Sequence, residues 1–131
     1  MMPFLLCALF IAATLGKGDA TNVTLLYEWT NMEYAWPSET TKFNYTNSGW
    51  YIPDNNALAG VKYWNGEMYV TVPRWRPGVP ITLAKVVGSP EKPLLQAWPS
   101  WDMQSYPLGD PGKLQFIQSM EIDSRGWMWI L

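Results

Sequence analysis

Residues 60–83, GVKYWNGEMYVTVPRWRPGVPITL, alternate between apolar or aromatic and polar positions on both sides of Asn65-Gly66. Alternation with a period of two predicts strands, and Asn-Gly between two such runs predicts a tight hairpin, because both turn residues must take positive φ. A two-residue loop fixes the register: Trp64 faces Glu67, Tyr63 faces Met68, Lys62 faces Tyr69 and Val61 faces Val70. Val61, Tyr63, Met68, Val70 and Val72 then share one face, and Lys62, Trp64, Glu67, Tyr69 and Thr71 the other. Pro73 lacks an amide donor and ends the second strand. Pro77 and Pro80 stiffen the loop 74–80, a third strand follows over 81–87, a turn over 88–93 and a fourth strand over 94–98. Four short strands with short connections describe an antiparallel meander, which a Pro- and Gly-rich connection over 99–113 leaves behind.

Residues 114–131 read as another hairpin, with Met120 and Ile122 alternating with Glu121 and Asp123 before a turn at Ser124-Arg125-Gly126. Laying Gly126 on Gly66 aligns Trp127-Met128-Trp129-Ile130 with Glu67-Met68-Tyr69-Val70. A recurring four-stranded unit is the signature of a β-propeller, which needs at least about four blades to close. The chain holds about one and a half such units and stops inside an apolar strand at Leu131, so it reads as a truncated part of a longer protein. Alone, it is expected to leave strand edges and apolar faces bare.

The first twenty residues change the compartment. An apolar run over 4–15 followed by Gly18-Asp19-Ala20 reads as a cleavable secretory leader, with the mature domain over 21–131. The run is shorter than the roughly 20 apolar residues of a membrane span, so no membrane anchor is expected. Cleavage removes Cys7, the one cysteine, and disulfides then play no part. The formal charge of −2 is scattered without a basic stripe, which argues against nucleic acid or anionic membrane as partner. Secretion gives meaning to two glycosylation sequons, Asn22-Val23-Thr24 and Asn44-Tyr45-Thr46, of which Asn44 is the better acceptor because Asn22 falls beside the new terminus.

Several segments resemble, in order, landmarks of the Yellow and major royal jelly protein family: Tyr27-Glu28-Trp29, Trp36-Pro37-Ser38, Tyr51 through Asn56, and Pro99-Ser100-Trp101. The block Val70 through Leu83, with TVPRWRPGVP at its centre, is the specific one. The resemblance implies an all-β fold, a six-bladed β-propeller, and a secreted protein. Where many insect members carry a pair of cysteines, this chain has Pro111 and Arg125, so the resemblance does not extend to that disulfide. Family roles include pigmentation and cuticle patterning, dopachrome conversion, binding of biogenic amines, and nutrition, and fold alone does not choose among them.

The chain contains no histidine, so it offers no imidazole base or ligand, and no nucleophile motif. No cofactor or metal is expected. In a meander the loop 74–80 and the connection after the fourth strand share one end, which places Arg74, Trp75 and Arg76 on a rim with Trp101, Asp102 and Tyr106. Such a rim could stack an aromatic ligand, with Asp102 pairing an amine. The plainer expectation is that Trp75 and Trp101 wedge between blades while the arginines bond loop carbonyls. Trp64, Trp127 and Trp129, at strand positions, are expected to fill space between sheets rather than to bind sugar. The reading is a binder of a small aromatic amine or catechol linked to pigmentation or cuticle, with a dopachrome-converting enzyme and a structural or nutritional glycoprotein as the alternatives.

Overall fold

The computed structural model describes residues 24–104 and 106–131, so the leader and the Asn22 sequon lie outside the described residues. Strands β1 (Gly60–Trp64), β2 (Glu67–Thr71), β3 (Leu83–Ser89) and β4 (Lys92–Ala97) form one antiparallel sheet in the order β1-β2-β3-β4. Strands β5 (Met120–Ile122) and β6 (Met128–Ile130) form a separate antiparallel pair. The regular structure of the described residues is thus mostly antiparallel sheet, with one α-helix, α1 (Glu39–Asn47), and a short 3-10 turn at Pro53–Asn55 ahead of it.

The β1–β2 register is the one dictated by the turn, with Trp64 opposite Glu67 and Val61 opposite Val70. Asn65 has φ 49° and Gly66 φ 83°, the two positive values a type I′ turn requires. A Cβ on Gly66 would meet nothing within 4 Å, so a substitution there acts through backbone strain alone. Gly66→Val is expected to lower stability by about 1–2 kcal/mol, with Gly66→Asn close to wild type because asparagine tolerates the left-handed region. The midpoints of thermal unfolding followed by circular dichroism check the order of the three proteins.

The second hairpin of the sheet is tighter than the sequence suggests. β3 continues to Ser89 and β4 begins at Lys92, which leaves only Pro90-Glu91 as the loop and puts Pro93 inside β4 opposite Gly88. β4 is an edge strand, where a residue without an N–H is tolerated. Its outer side is partly covered: residue 34 bridges Leu95 in parallel, with Leu95 N donating to the Glu33 carbonyl and Ala35 N to the Leu95 carbonyl.

Both faces of the sheet are covered over β2–β4, each by a different part of the chain, while Val61 and Tyr63 of β1 stay exposed. Val70, Val72, Ala84, Val86 and Leu95 pack under Tyr34, Tyr45 and Tyr51 from the preceding segment and α1. Tyr69 and Leu83, on the other face, pack with Ile117 and Met120 and with the half-buried Trp64 and Met128. Two threonine hydroxyls join this second layer to the sheet: Thr71 donates to the Gln118 carbonyl at 2.9 Å, and Thr82 accepts from Ile117 N at 2.8 Å. Lys62 adds an ion pair to Glu121 at 2.8 Å. Trp64 fills the space between the two sheets as expected, lying against Gly126, where a Cβ would come within 3.0 Å of the indole. Trp127 and Trp129 differ from the expectation, being 65% and 59% exposed, because no further sheet stands over β6 among the described residues.

The helix carries no visible periodic stripe, since Tyr45 is its one buried residue while Phe43 is exposed. Its start is nonetheless encoded. Ser38 takes an extended conformation and accepts a hydrogen bond from Thr41 N, with Glu39 in the first turn where the helix dipole favours a negative charge.

Candidate functional site

The loop 74–80 and the connection 98–116 do lie together, and Arg74 is the reason. Its five N–H donors reach five backbone carbonyls: Nε that of Val79, Nη1 those of Leu114 and Gln115, Nη2 those of Pro80 and Gln104. The guanidinium also lies over the Tyr106 ring, 5.6 Å from its centroid. Burial pushes its pKa down, while the neighbouring Tyr106, Tyr34 and Tyr45 act the other way. A guanidinium whose donors are all committed to protein carbonyls has none left for a ligand anion.

The other rim residues divide. Trp101 stacks on Trp36 with centroids 5.2 Å apart, and its indole N–H donates to the Ala35 carbonyl. Trp75, 58% exposed, and Arg76 project from the loop into solvent. Asp102 is exposed and pairs with Lys113 at 3.2 Å. Arg74, Trp101 and Tyr106 therefore belong to one packed unit, and Trp75, Arg76 and Asp102 form its wet margin. Behind them Trp50 stacks on Tyr106 and Tyr45 meets both edge-on.

Gln104 carries the most closely fitted polar contact in this region and has no counterpart in the sequence analysis. Its fully buried amide oxygen accepts from Thr82 N at 2.7 Å and Leu83 N at 2.9 Å, while its nitrogen donates to the Leu83 and Trp98 carbonyls. The side chain thus continues the sheet where β4 ends, and nothing local to Gln104 announces that partnership.

A concavity of about 670 Å³ lies elsewhere, along the outer edge of β4 beside α1. Four carboxylates line it (Glu28, Glu33, Glu39 and Glu91) against two ammonium groups (Lys42 and Lys92), so four negative and two positive charges leave a net of −2. Glu33 is committed: it bridges Lys42 at 3.1 Å and accepts from the Trp36 indole at 2.8 Å. Glu28 and Glu39 are exposed and make no ion pair or hydrogen bond among the described residues. The half-buried Trp29 and Trp36, with Pro93 and Leu94, supply the apolar part of the lining, while Tyr34 behind them is buried. The signal available in the sequence was the adjacency of acids and rings, Glu28-Trp29 and Glu33-Tyr34.

Proton chemistry near neutrality has little to draw on here. Burial raises the Tyr34 phenol well above its ordinary value, with Tyr51 adding to it, and its hydroxyl donates to the Asn56 side-chain oxygen. Tyr51 is pushed up to about 12 by burial and by Glu33, and its hydroxyl donates to the Met32 carbonyl at 2.8 Å. Tyr45 is also raised, chiefly by burial. Each phenol stays protonated and acts as a fixed hydrogen-bond donor or packing surface. Among the described residues no group of three or more acidic or cysteine side chains is placed to hold a metal ion.

No family model matches the chain. It is similar to Protein yellow of Drosophila melanogaster and of Drosophila yakuba, 34% identical to each over 112 residues that cover 80% of this chain and 20% of the relative. Protein yellow of Drosophila subobscura is 35% identical over 112 residues, covering 80% of this chain and 19% of that protein. The chain spans about a fifth of the length of the curated relatives it matches.

Proposed function

Because the chain belongs to the Yellow and major royal jelly protein family, we propose that it contributes to a secreted β-propeller protein linked to pigmentation, which binds a small aromatic amine or catechol without converting it. The observation that carries the binding reading is the groove beside β4, where two uncommitted carboxylates, Glu28 and Glu39, stand near the half-buried Trp29 and Trp36. An ammonium group on a flat ring fits that combination: the carboxylates meet the charge and the rings accept the ring face. The volume falls in the range of roughly 300–1,000 Å³ that small-molecule sites occupy. Non-catalytic binding is favoured because the chain lacks histidine and its buried phenols Tyr34 and Tyr51 are held protonated as hydrogen-bond donors, which leaves the exposed groove carboxylates as charge partners for an amine.

Titration calorimetry with dopamine and serotonin tests this, alongside a spectrophotometric assay of dopachrome decay. Saturable binding without faster decay is the expected result. The double variant Glu28→Gln/Glu39→Gln should bind about fivefold more weakly, since two solvent-exposed charge contacts are worth about 1 kcal/mol together. Accelerated decay would favour the enzyme instead, and silence in both assays the structural or nutritional protein. Recovery of the chain in the culture medium of expressing cells, without residues 1–20, checks secretion.

A further inference from the structure

We propose that Asn44 carries an N-linked glycan and that the glycan projects away from the β4 groove. The inference rests on the secretion reading above, since the modifying enzyme works in the secretory lumen. Asn44 is exposed on α1, and its side-chain amide makes no hydrogen bond among the described residues. The asparagines that hold the fold behave differently: Asn55 donates to the Pro77 carbonyl at 2.9 Å and Asn56 to the Gly78 carbonyl at 3.0 Å. Asn44 is thus a side chain the fold does not use, inside an Asn-Tyr-Thr sequon.

Helical geometry gives the direction. At 3.6 residues per turn, Asn44 points about 160° away from Lys42 and about 140° away from Glu39, the two α1 residues that line the groove. The buried Tyr45 fixes the inward side, so a glycan on Asn44 meets neither the groove nor the aromatic layer. It does stand next to Phe43, whose ring is 65% exposed, and would shield that ring from other molecules.

The order of events is also constrained. In the formed helix the Thr46 hydroxyl donates to the Lys42 carbonyl at 2.9 Å, and the Asn44 carbonyl accepts from Ser48 N at 3.0 Å. The sequon hydroxyl is then turned away from the Asn44 amide, so attachment belongs to the extended chain before α1 closes. In that step the Asn44 amide nitrogen bonds to the anomeric carbon of a lipid-pyrophosphate-linked oligosaccharide. The lipid pyrophosphate leaves with the electron pair of the broken C–O bond, and the nitrogen gives up one proton.

The test is expression of the chain with its own leader in secreting insect cells, with intact mass measured before and after peptide N-glycosidase. A glycan-sized mass, lost on treatment with conversion of Asn44 to aspartate, is expected. Asn44→Gln and Thr46→Val should lack it, and Thr46→Ser, which keeps the sequon, should retain it. An Asn22→Gln background separates the other sequon. Secreted chain with Asn44 unmodified overturns the glycan alone, whereas chain found only in the cytosol overturns the secretion reading and the glycan with it. Reading the mass on the intracellular precursor as well keeps the answer independent of how well any variant folds.

Discussion

Arg74→Met is expected to destabilise the chain by about 3 kcal/mol or more, the largest effect of any single change considered. Five carbonyls, from Val79, Pro80, Gln104, Leu114 and Gln115, lose their donors together. Each buried acceptor left unsatisfied costs about 1–3 kcal/mol. The total falls below the simple sum because the guanidinium is only partly buried: water can reach some of the freed carbonyls, and the desolvation of the cation is relieved. Arg74→Lys should recover little, since an ammonium has three donors on one point and cannot span five acceptors. Urea unfolding followed by tryptophan fluorescence gives the magnitude, and hydrogen exchange should show early opening of the connection 106–116. An Arg74→Lys midpoint equal to wild type would sink the clamp.

Gln104→Leu should follow at about 2–4 kcal/mol, because Thr82 N and Leu83 N lose an acceptor in a fully buried site. Gln104→Glu adds a diagnostic pH dependence. The carboxylate can still accept from the two amides, but its second oxygen would face the Leu83 and Trp98 carbonyls, where the nitrogen now donates. The folded state therefore favours the protonated acid, raising that group's pKa on folding. Its stability is greatest below the unfolded glutamate value and is lost as pH rises through the folded one. Unfolding midpoints of Gln104→Glu and wild type should diverge between acid and neutral pH, and a constant difference would show that Gln104 does not hold those carbonyls.

The hairpins were legible because their information is local. Asn65-Gly66 fixed both the turn and the β1–β2 register, and Gly126, with φ 84°, placed the second turn in the same way. Alternation also separated Val70 and Val72 from Trp64 and Tyr69, which do go to different layers. The helix α1 escaped because it buries only Tyr45 and so writes no 3.6-residue stripe, leaving Ser38 and Glu39 as its faint signal. The end of β3 and the start of β4 were misplaced because Pro93 breaks a central strand but not an edge one, and edge position is a property of the whole sheet.

For the site, the sequence determined that Arg74, Trp101 and Tyr106 come to one end, since strand parity decides where loops emerge. What Arg74 does there was decided only by the tertiary structure, as were the wet margin of Trp75 and Asp102, the Gln104 contacts and the groove between β4 and α1. Backbone φ preferences and the period of two act between neighbouring residues and are written along the chain. A buried side chain's partners are whatever polar groups the finished fold brings within roughly 3 Å, and for Arg74 those come from residues 79 to 115, brought together only when the sheet and its covering layers close.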